Sequence, residues 1–132
     1  MAKIYYDSDA NLEVLKGKTI GIVGYGIQGR AHALCLRDSG LEVIVAELPE
    51  SPAYQAAKED GFSPLTAVEL AQRARVIALL TQDHVQPAVY REAVAQNLAE
   101  GNCLLFAHGF NIHFHQIVPP PNVDVVMVAP KG

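Results

Sequence analysis

The chain has no tryptophan and only two cysteines and two methionines in 132 residues. Cys35 and Cys103 lie in apolar surroundings without metal-ligand spacing. They read as reduced, buried thiols of a cytosolic protein, which excludes a disulfide framework and a zinc site. No apolar run approaches the roughly 18 residues that a membrane span needs. The N-terminus lacks the basic-then-apolar pattern of a secretory leader. Positive charge is scarce: ten Lys and Arg stand against fourteen Asp and Glu, for a net charge of −4. That balance offers nothing to nucleic acid or to an anionic membrane. Internal repeats and low-complexity tracts are absent too. These exclusions leave a cytoplasmic globular domain spanning residues 1–132. It is half hydrophobic and 18% charged, and large enough for a real core.

Against that ordinary composition, Lys18 to Arg30 stands out. A short apolar run, Ile20–Val23, reads as a buried strand. Gly24-Tyr25-Gly26-Ile27-Gln28-Gly29 follows at once, and then a helical pattern begins. This is the strand-turn-helix of a dinucleotide-binding unit. Gly24 permits the tight turn. Gly26 lets the backbone approach a pyrophosphate. Gly29 lets the helix pack on the strand. The free amides at the helix start then face the phosphates, and the helix dipole favours their charge.

Strands are expected at Ile20–Val23, 41–46, 75–81, 102–107 and 123–129, with a short one at 62–63. Helices are expected at 27–39 and 52–60, from the Thr66 cap to Arg73, and from the turn Gln82-Asp83-His84 to near Gly101. Residues 3–6 make a β-prone start, 10–15 a helical turn, and 112–118 a short irregular or helical stretch. Thr66 and Glu69 form a capping box. Pro52 and Pro87 suit first helical turns. Ile27, Ala31, Leu34 and Cys35 have the spacing of a core-facing stripe on the first helix. Val85, Val89 and Ala93 line one side of the fourth. Strands alternating with helices mean an α/β, Rossmann-like, mainly parallel sheet with helices on both faces. Ligands on such sheets sit beyond the strands' carboxyl ends. There this chain places residues 24–29, Glu47, Thr81, Gln82, Asp83, His108, Gly109, Pro130 and Lys131.

Glu47 can accept hydrogen bonds from the ribose hydroxyls of NAD, and it would repel the 2′-phosphate of NADP. Residues 48–54 contain no Arg or Lys, and Glu50 adds negative charge. Electrostatics therefore favours NADH over NADPH. His108 can hydrogen-bond a substrate carbonyl or hydroxyl, or relay a proton; the alternative is a histidine bonded to backbone at a strand end. Lys131 can set a positive charge against a carboxylate or developing alkoxide; the alternative is solvated surface. His113 and His115 lack a third ligand, so no metal site is expected in this chain.

These residues carry a resemblance over essentially the whole chain. Lys3-Ile4-Tyr5-Tyr6-Asp7, the glycine motif, Ala31-His32-Ala33-Leu34 and Leu36-Arg37-Asp38-Ser39-Gly40 are similar to the N-terminal domain of ketol-acid reductoisomerases. His108-Gly109-Phe110-Asn111-Ile112-His113-Phe114 and Val128-Ala129-Pro130-Lys131-Gly132 are specific to that family. The resemblance implies a Mg²⁺-dependent alkyl shift followed by hydride reduction, which takes 2-acetohydroxy acids to 2,3-dihydroxy acids in branched-chain amino-acid synthesis. It implies active-site roles for His108 and Lys131. It maps the cofactor onto Tyr25, Gly26, Ile27, Gln28, the loop after the second strand, Asp83, His84, Val85 and Gln86. Most members bind NADPH through an arginine and serines in that loop. Here Leu48 and Ala53 replace two of these and Ser51 remains, in agreement with NADH. Family members continue past Gly132 into a helical domain that carries the Mg²⁺ ligands, most of the substrate pocket and the main subunit interface. The chain is thus expected to bind cofactor without turning over substrate, and the full enzyme to be a homo-oligomer. A stand-alone nucleotide-sensing domain is the alternative; it would need neither His108 nor Lys131.

Overall fold

The computed structural model describes residues 1–130, and in it five strands form one parallel sheet. They are β1 Ile20–Val23, β2 Val43–Ala46, β3 Val76–Leu79, β4 Cys103–Phe106 and β5 Asp124–Met127, in the order β2-β1-β3-β4-β5. The helices are α1 Ile27–Asp38, α2 Pro52–Glu59, α3 Ala67–Arg73, α4 Gln86–Val89 and α5 Phe110–His113. Successive strand residues point to opposite faces, and each face of the sheet has its own core. On one, Ile20, Ile22, Val45 and Ala78 meet Ala33 of α1 and Ala57 of α2. On the other, Val23, Ile77, Leu79, Leu104 and Phe106 meet Leu70 and Ala71 of α3 with Tyr90 and Val94. Burial on both sides explains why β1 and β3 read as nearly unbroken apolar runs, whereas the edge strand β5 is exposed along its length.

Local chemistry starts the helices where the sequence indicates. Thr66 Oγ1 accepts from the Glu69 amide (3.2 Å), and the Glu69 carboxylate accepts from the Thr66 amide (2.9 Å). Ser51 caps α2 by accepting from the Tyr54 amide (3.0 Å), with Pro52 in the first turn. α4 is shorter than expected. It opens into a wide π turn at Tyr90–Val94 and ends in a 3₁₀ turn at Ala95–Asn97. The widened turn brings Tyr90, Ala93 and Val94 together into the core.

Four expectations are corrected. The strand at 62–63 is replaced by a single parallel bridge, Ala46 to Leu65; Pro64 lacks the amide that would extend the ladder. Residues 3–6 join no strand and are exposed. The first helix turns a different face to the sheet: Gly29 and Ala33 are buried, whereas Ile27 is 94% exposed and Ala31 and Cys35 face outward. Close approach of α1 to β1 requires its smallest residues on the inside. Cys35 is accordingly exposed, and Cys103 is only half-buried.

The register positions everything that follows. Ala46, Val23, Leu79, Phe106 and Met127 pair in succession across the sheet. All five strands therefore end flush, and their outgoing loops share one rim. The chain leaves β1 toward β2 on one side, and β3 lies on the other. The rim above the β1–β3 boundary is thus the switch point where such sheets take ligands.

Candidate functional site

The turn Gly24-Tyr25-Gly26 joins β1 to α1 across this switch point. Gly24 has φ +95°, a conformation that L side chains rarely adopt. A Cβ on Gly29 would lie 1.8 Å from the Gly24 carbonyl oxygen, so the fold itself demands that glycine. Gly26 differs: beyond its immediate chain neighbours, a Cβ there would meet nothing within 4 Å. It caps α1 without a side-chain hydrogen bond, and no acidic residue stands in the first turn. The leading amides of α1 lack intrahelical partners and carry the positive end of its dipole. Open space over Gly26 and unpaired donors beside it suit a diphosphate.

Glu47 directly follows β2. Its Oε2 accepts from the Tyr25 amide (2.8 Å) and its Oε1 from the Leu48 amide (2.9 Å). The carboxylate is thereby held against the glycine turn, with lone pairs left for a ribose diol. The Tyr25 ring is buried, and its hydroxyl donates to Asp60 Oδ2 (2.8 Å). Arg30 grips the same carboxylate through Nε to Oδ2 (2.7 Å) and Nη2 to Oδ1 (3.0 Å). Burial, then the hydrogen bond to Asp60, pushes the Tyr25 phenol up to about 12. The hydrogen bonds from Arg30 and then Tyr25 hold Asp60 down at about 2.

Two of the crevices along the rim meet at Thr81. One, of about 350 Å³ and largely apolar, is lined by Glu47, Leu48, Thr66, Thr81, Val85 and Val89 among others. The other, of about 700 Å³, includes Gly26, Ile27, Gln28, Thr81, Asp83, Gln86 and His108 in its walls. Thr81 belongs to both. Its Oγ1 is buried and has no hydrogen-bond partner among the described residues, an orphan that a cofactor oxygen would satisfy. An apolar slot beside Glu47 and a wider, more polar chamber over the switch point thus flank the glycine turn.

The polar chamber is braced from below. Asn111 Nδ2 donates to the Asp83 carbonyl (2.9 Å) and to Gln86 Oε1 (2.9 Å). Gln86 Nε2 donates to the carbonyls of Thr81 (2.8 Å) and Leu79 (3.2 Å). Both amides are buried, Asn111 at 1% and Gln86 at 3% exposure. They tie the loop after β3 to the loop after β4. His108, on the latter loop, has Nδ1 3.0 Å from Asp83 Oδ2, an ion pair when the ring is protonated.

The residues singled out from sequence thus converge, with exceptions. Gly24, Tyr25, Gly26, Ile27, Gln28, Gly29, Glu47, Thr81, Asp83, Val85, Gln86 and His108 build or line one rim. Ser51 uses its hydroxyl to cap α2. His84 is exposed and lines neither crevice. Lys131 lies outside the described residues; Pro130 lines the same chamber as His108. Among the described residues, no three His, Cys, Asp or Glu side chains group where they could hold a metal ion. None of the described helices is long and apolar enough to cross a membrane. Asp60 and Asn111 were not anticipated. Their partners are remote in sequence; an asparagine inside the otherwise apolar Phe110-Asn111-Ile112 is the one local hint of the second.

Known proteins bear directly on this geometry. A sequence model described as acetohydroxy acid isomeroreductase, NADPH-binding domain, matches residues 14–132. An NADH-preferring ketol-acid reductoisomerase from an uncultured archean superposes with TM-score 0.95 at 44% identity, over 99% of this chain and 41% of that one. A semialdehyde dehydrogenase NAD-binding protein from Cupriavidus necator, in complex with calcium and NAD, gives TM-score 0.72 at 18% identity, over 83% of this chain and 40% of its own. Pyrroline carboxylate reductase from Plasmodium falciparum, with NADP bound, gives 0.64 at 15%, over 83% and 41%. The last two speak for the fold alone. The chain spans 41% of the length of the archean reductoisomerase. A dinucleotide turn, an acid at the end of β2 and a match across nearly every residue lead to one assignment: this chain belongs to the acetohydroxy acid isomeroreductase, or ketol-acid reductoisomerase, family as its NAD(P)H-binding domain.

Proposed function

We propose that the chain is the NADH-binding part of a ketol-acid reductoisomerase that converts 2-acetohydroxy acids, such as 2-acetolactate, to 2,3-dihydroxy acids. The observation that carries the cofactor choice is the Glu47 carboxylate, held 2.8 Å from the Tyr25 amide at the mouth of the apolar slot. The adjoining loop has no cation to offset it. A 2′-phosphate placed beside Glu47 would meet like charge, worth roughly 1–4 kcal/mol at contact distance for an effective dielectric of about 20 to 80. The amides at the start of α1 hold the diphosphate, and Thr81 supplies a hydroxyl where the two crevices meet.

The bound nicotinamide supplies hydride. His108 faces the same chamber and orients a substrate oxygen or passes it a proton, with Asp83 fixing the ring. Lys131 adds positive charge for the developing alkoxide. Mg²⁺ and the larger part of the substrate pocket come from the remainder of a longer, homo-oligomeric enzyme, so this chain alone binds cofactor without turnover.

Parallel calorimetric titrations with NADH and NADPH test the cofactor reading. NADH is expected to bind at least about tenfold more tightly, and Glu47→Gln to narrow the gap. Tighter binding of NADPH would overturn it. Turnover of acetolactate by this chain with Mg²⁺ and NADH would overturn the division of labour.

A further inference from the structure

Tyr25 is the only side chain within the turn Gly24-Tyr25-Gly26, and it is pinned at both ends. Its amide donates to Glu47 and its hydroxyl to Asp60. Between these points the ring is 2% exposed and packs edge-on against Phe62, centroids 5.8 Å apart. Asp60 caps the end of α2. Its carboxylate takes two hydrogen bonds from Arg30, in the first turns of α1, as well as the one from Tyr25. Its carbonyl accepts from Arg37, further along α1, whose guanidinium lies 4.8 Å over the Phe62 ring. One residue therefore connects the dinucleotide turn, the helix whose start faces the diphosphate, and the helix that follows the Glu47 loop.

From this we infer that Asp60 is a positioning residue for the cofactor, acting through Tyr25 and Arg30 on the turn and on Glu47. The inference rests on the nucleotide-binding reading above. Asp60 need not touch the ligand. Its work is to keep the Tyr25 amide on the Glu47 carboxylate, so that the acid stands ready for the ribose diol before the ligand arrives. Releasing the phenol lets the ring swing, the amide leave Glu47, and the carboxylate turn to water. Binding then has to restore that order, and affinity falls.

The test is calorimetric titration of the chain with NADH and with ADP-ribose. Measurements are made well below the melting temperature, where each variant is folded by circular dichroism. Asp60→Ala is expected to weaken both ligands by about tenfold, within the range of ordinary coupling between sites. Asp60→Asn keeps an acceptor for the phenol and should lose less. Tyr25→Phe removes only the hydroxyl that anchors the ring to Asp60; it should weaken binding similarly and add little to Asp60→Ala in the double variant. A purely structural role for Asp60 would lower the melting temperature and leave both dissociation constants within twofold of the unaltered chain, which would overturn the inference alone. Should Asp60→Ala not fold, an unchanged dissociation constant in Tyr25→Phe would overturn it equally. Failure of the unaltered chain to bind NADH at all would overturn both this inference and the reading beneath it.

Discussion

Two glycines, Gly26 at the cap of α1 and Gly29 inside it, should respond to alanine in opposite ways, and the contrast separates what the fold needs from what the ligand needs. Gly26 sits at φ −78° and ψ −158°, which any residue can adopt, and a Cβ there meets nothing within 4 Å. Alanine reduces the freedom of the unfolded chain by about 0.4–1 kcal/mol and is a poorer helix cap than glycine by a similar amount. The two effects nearly cancel, so Gly26→Ala should unfold in urea within about 1 kcal/mol of the unaltered chain. The new methyl would nevertheless stand where the diphosphate has to approach the backbone. NADH binding, followed by fluorescence titration, should weaken at least about tenfold, a loss of about 1.4 kcal/mol or more. Gly29→Ala puts a methyl 1.8 Å from the Gly24 carbonyl oxygen, more than 1 Å inside the 3.0 Å that real Cβ atoms keep. Helix and turn must separate, at about 3 kcal/mol for overpacking of this severity. Stability and binding should fall together. Unchanged NADH affinity in Gly26→Ala would refute the placement of the diphosphate. Unchanged urea stability in Gly29→Ala would refute the packing argument.

Asn111→Ala removes the brace beneath the polar chamber and leaves Gln86 Oε1 buried without a donor. It should cost about 2 kcal/mol in urea denaturation, and loss of less than about 0.5 kcal/mol would contradict the account. Leu48→Arg restores a cation in the loop after β2 and should shift preference toward NADPH by about tenfold, measured as the ratio of the two dissociation constants. Asp60 titrates near 2 when folded against an ordinary 3.8. Because that value is depressed, its contribution is complete above pH 4 and disappears as the pH falls from about 4 to 2. Melting curves of the unaltered chain and Asp60→Asn should accordingly differ at neutral pH and converge near pH 2; a gap that persists there would count against the Arg30 and Tyr25 contacts as its source.

Much of this was legible in the residue order, and the exceptions have physical causes. Apolar runs bounded by turn residues located the central strands, since burial on both faces leaves little else in them. The turn and Glu47 were readable because their chemistry is local and their spacing is set by one strand-helix-strand unit. The inner face of α1 differs because hydrophobic spacing picks out Ile27, Ala31, Leu34 and Cys35 and gives no weight to Gly29, the residue that lies against the turn. Gly29 and Ala33 are the residues of α1 that the packing buries fully, with Leu36 partly buried against the same core. Asp60 and Asn111 escaped notice because each meets partners about 25 to 35 positions away, a proximity that only the folded topology creates. Pro64 could have warned that the short strand at 62–63 would shrink to the bridge at Leu65.

The flush strand ends have a consequence for redesign. Ala46 closes β2 and Pro52 opens α2, which leaves a short cassette whose ends are anchored by the sheet and by the Ser51 cap. Replacing its contents would change the charge beside Glu47 while the ladder beneath stays in step. A lineage, or an engineer, could recharge this part of the rim without renegotiating the core.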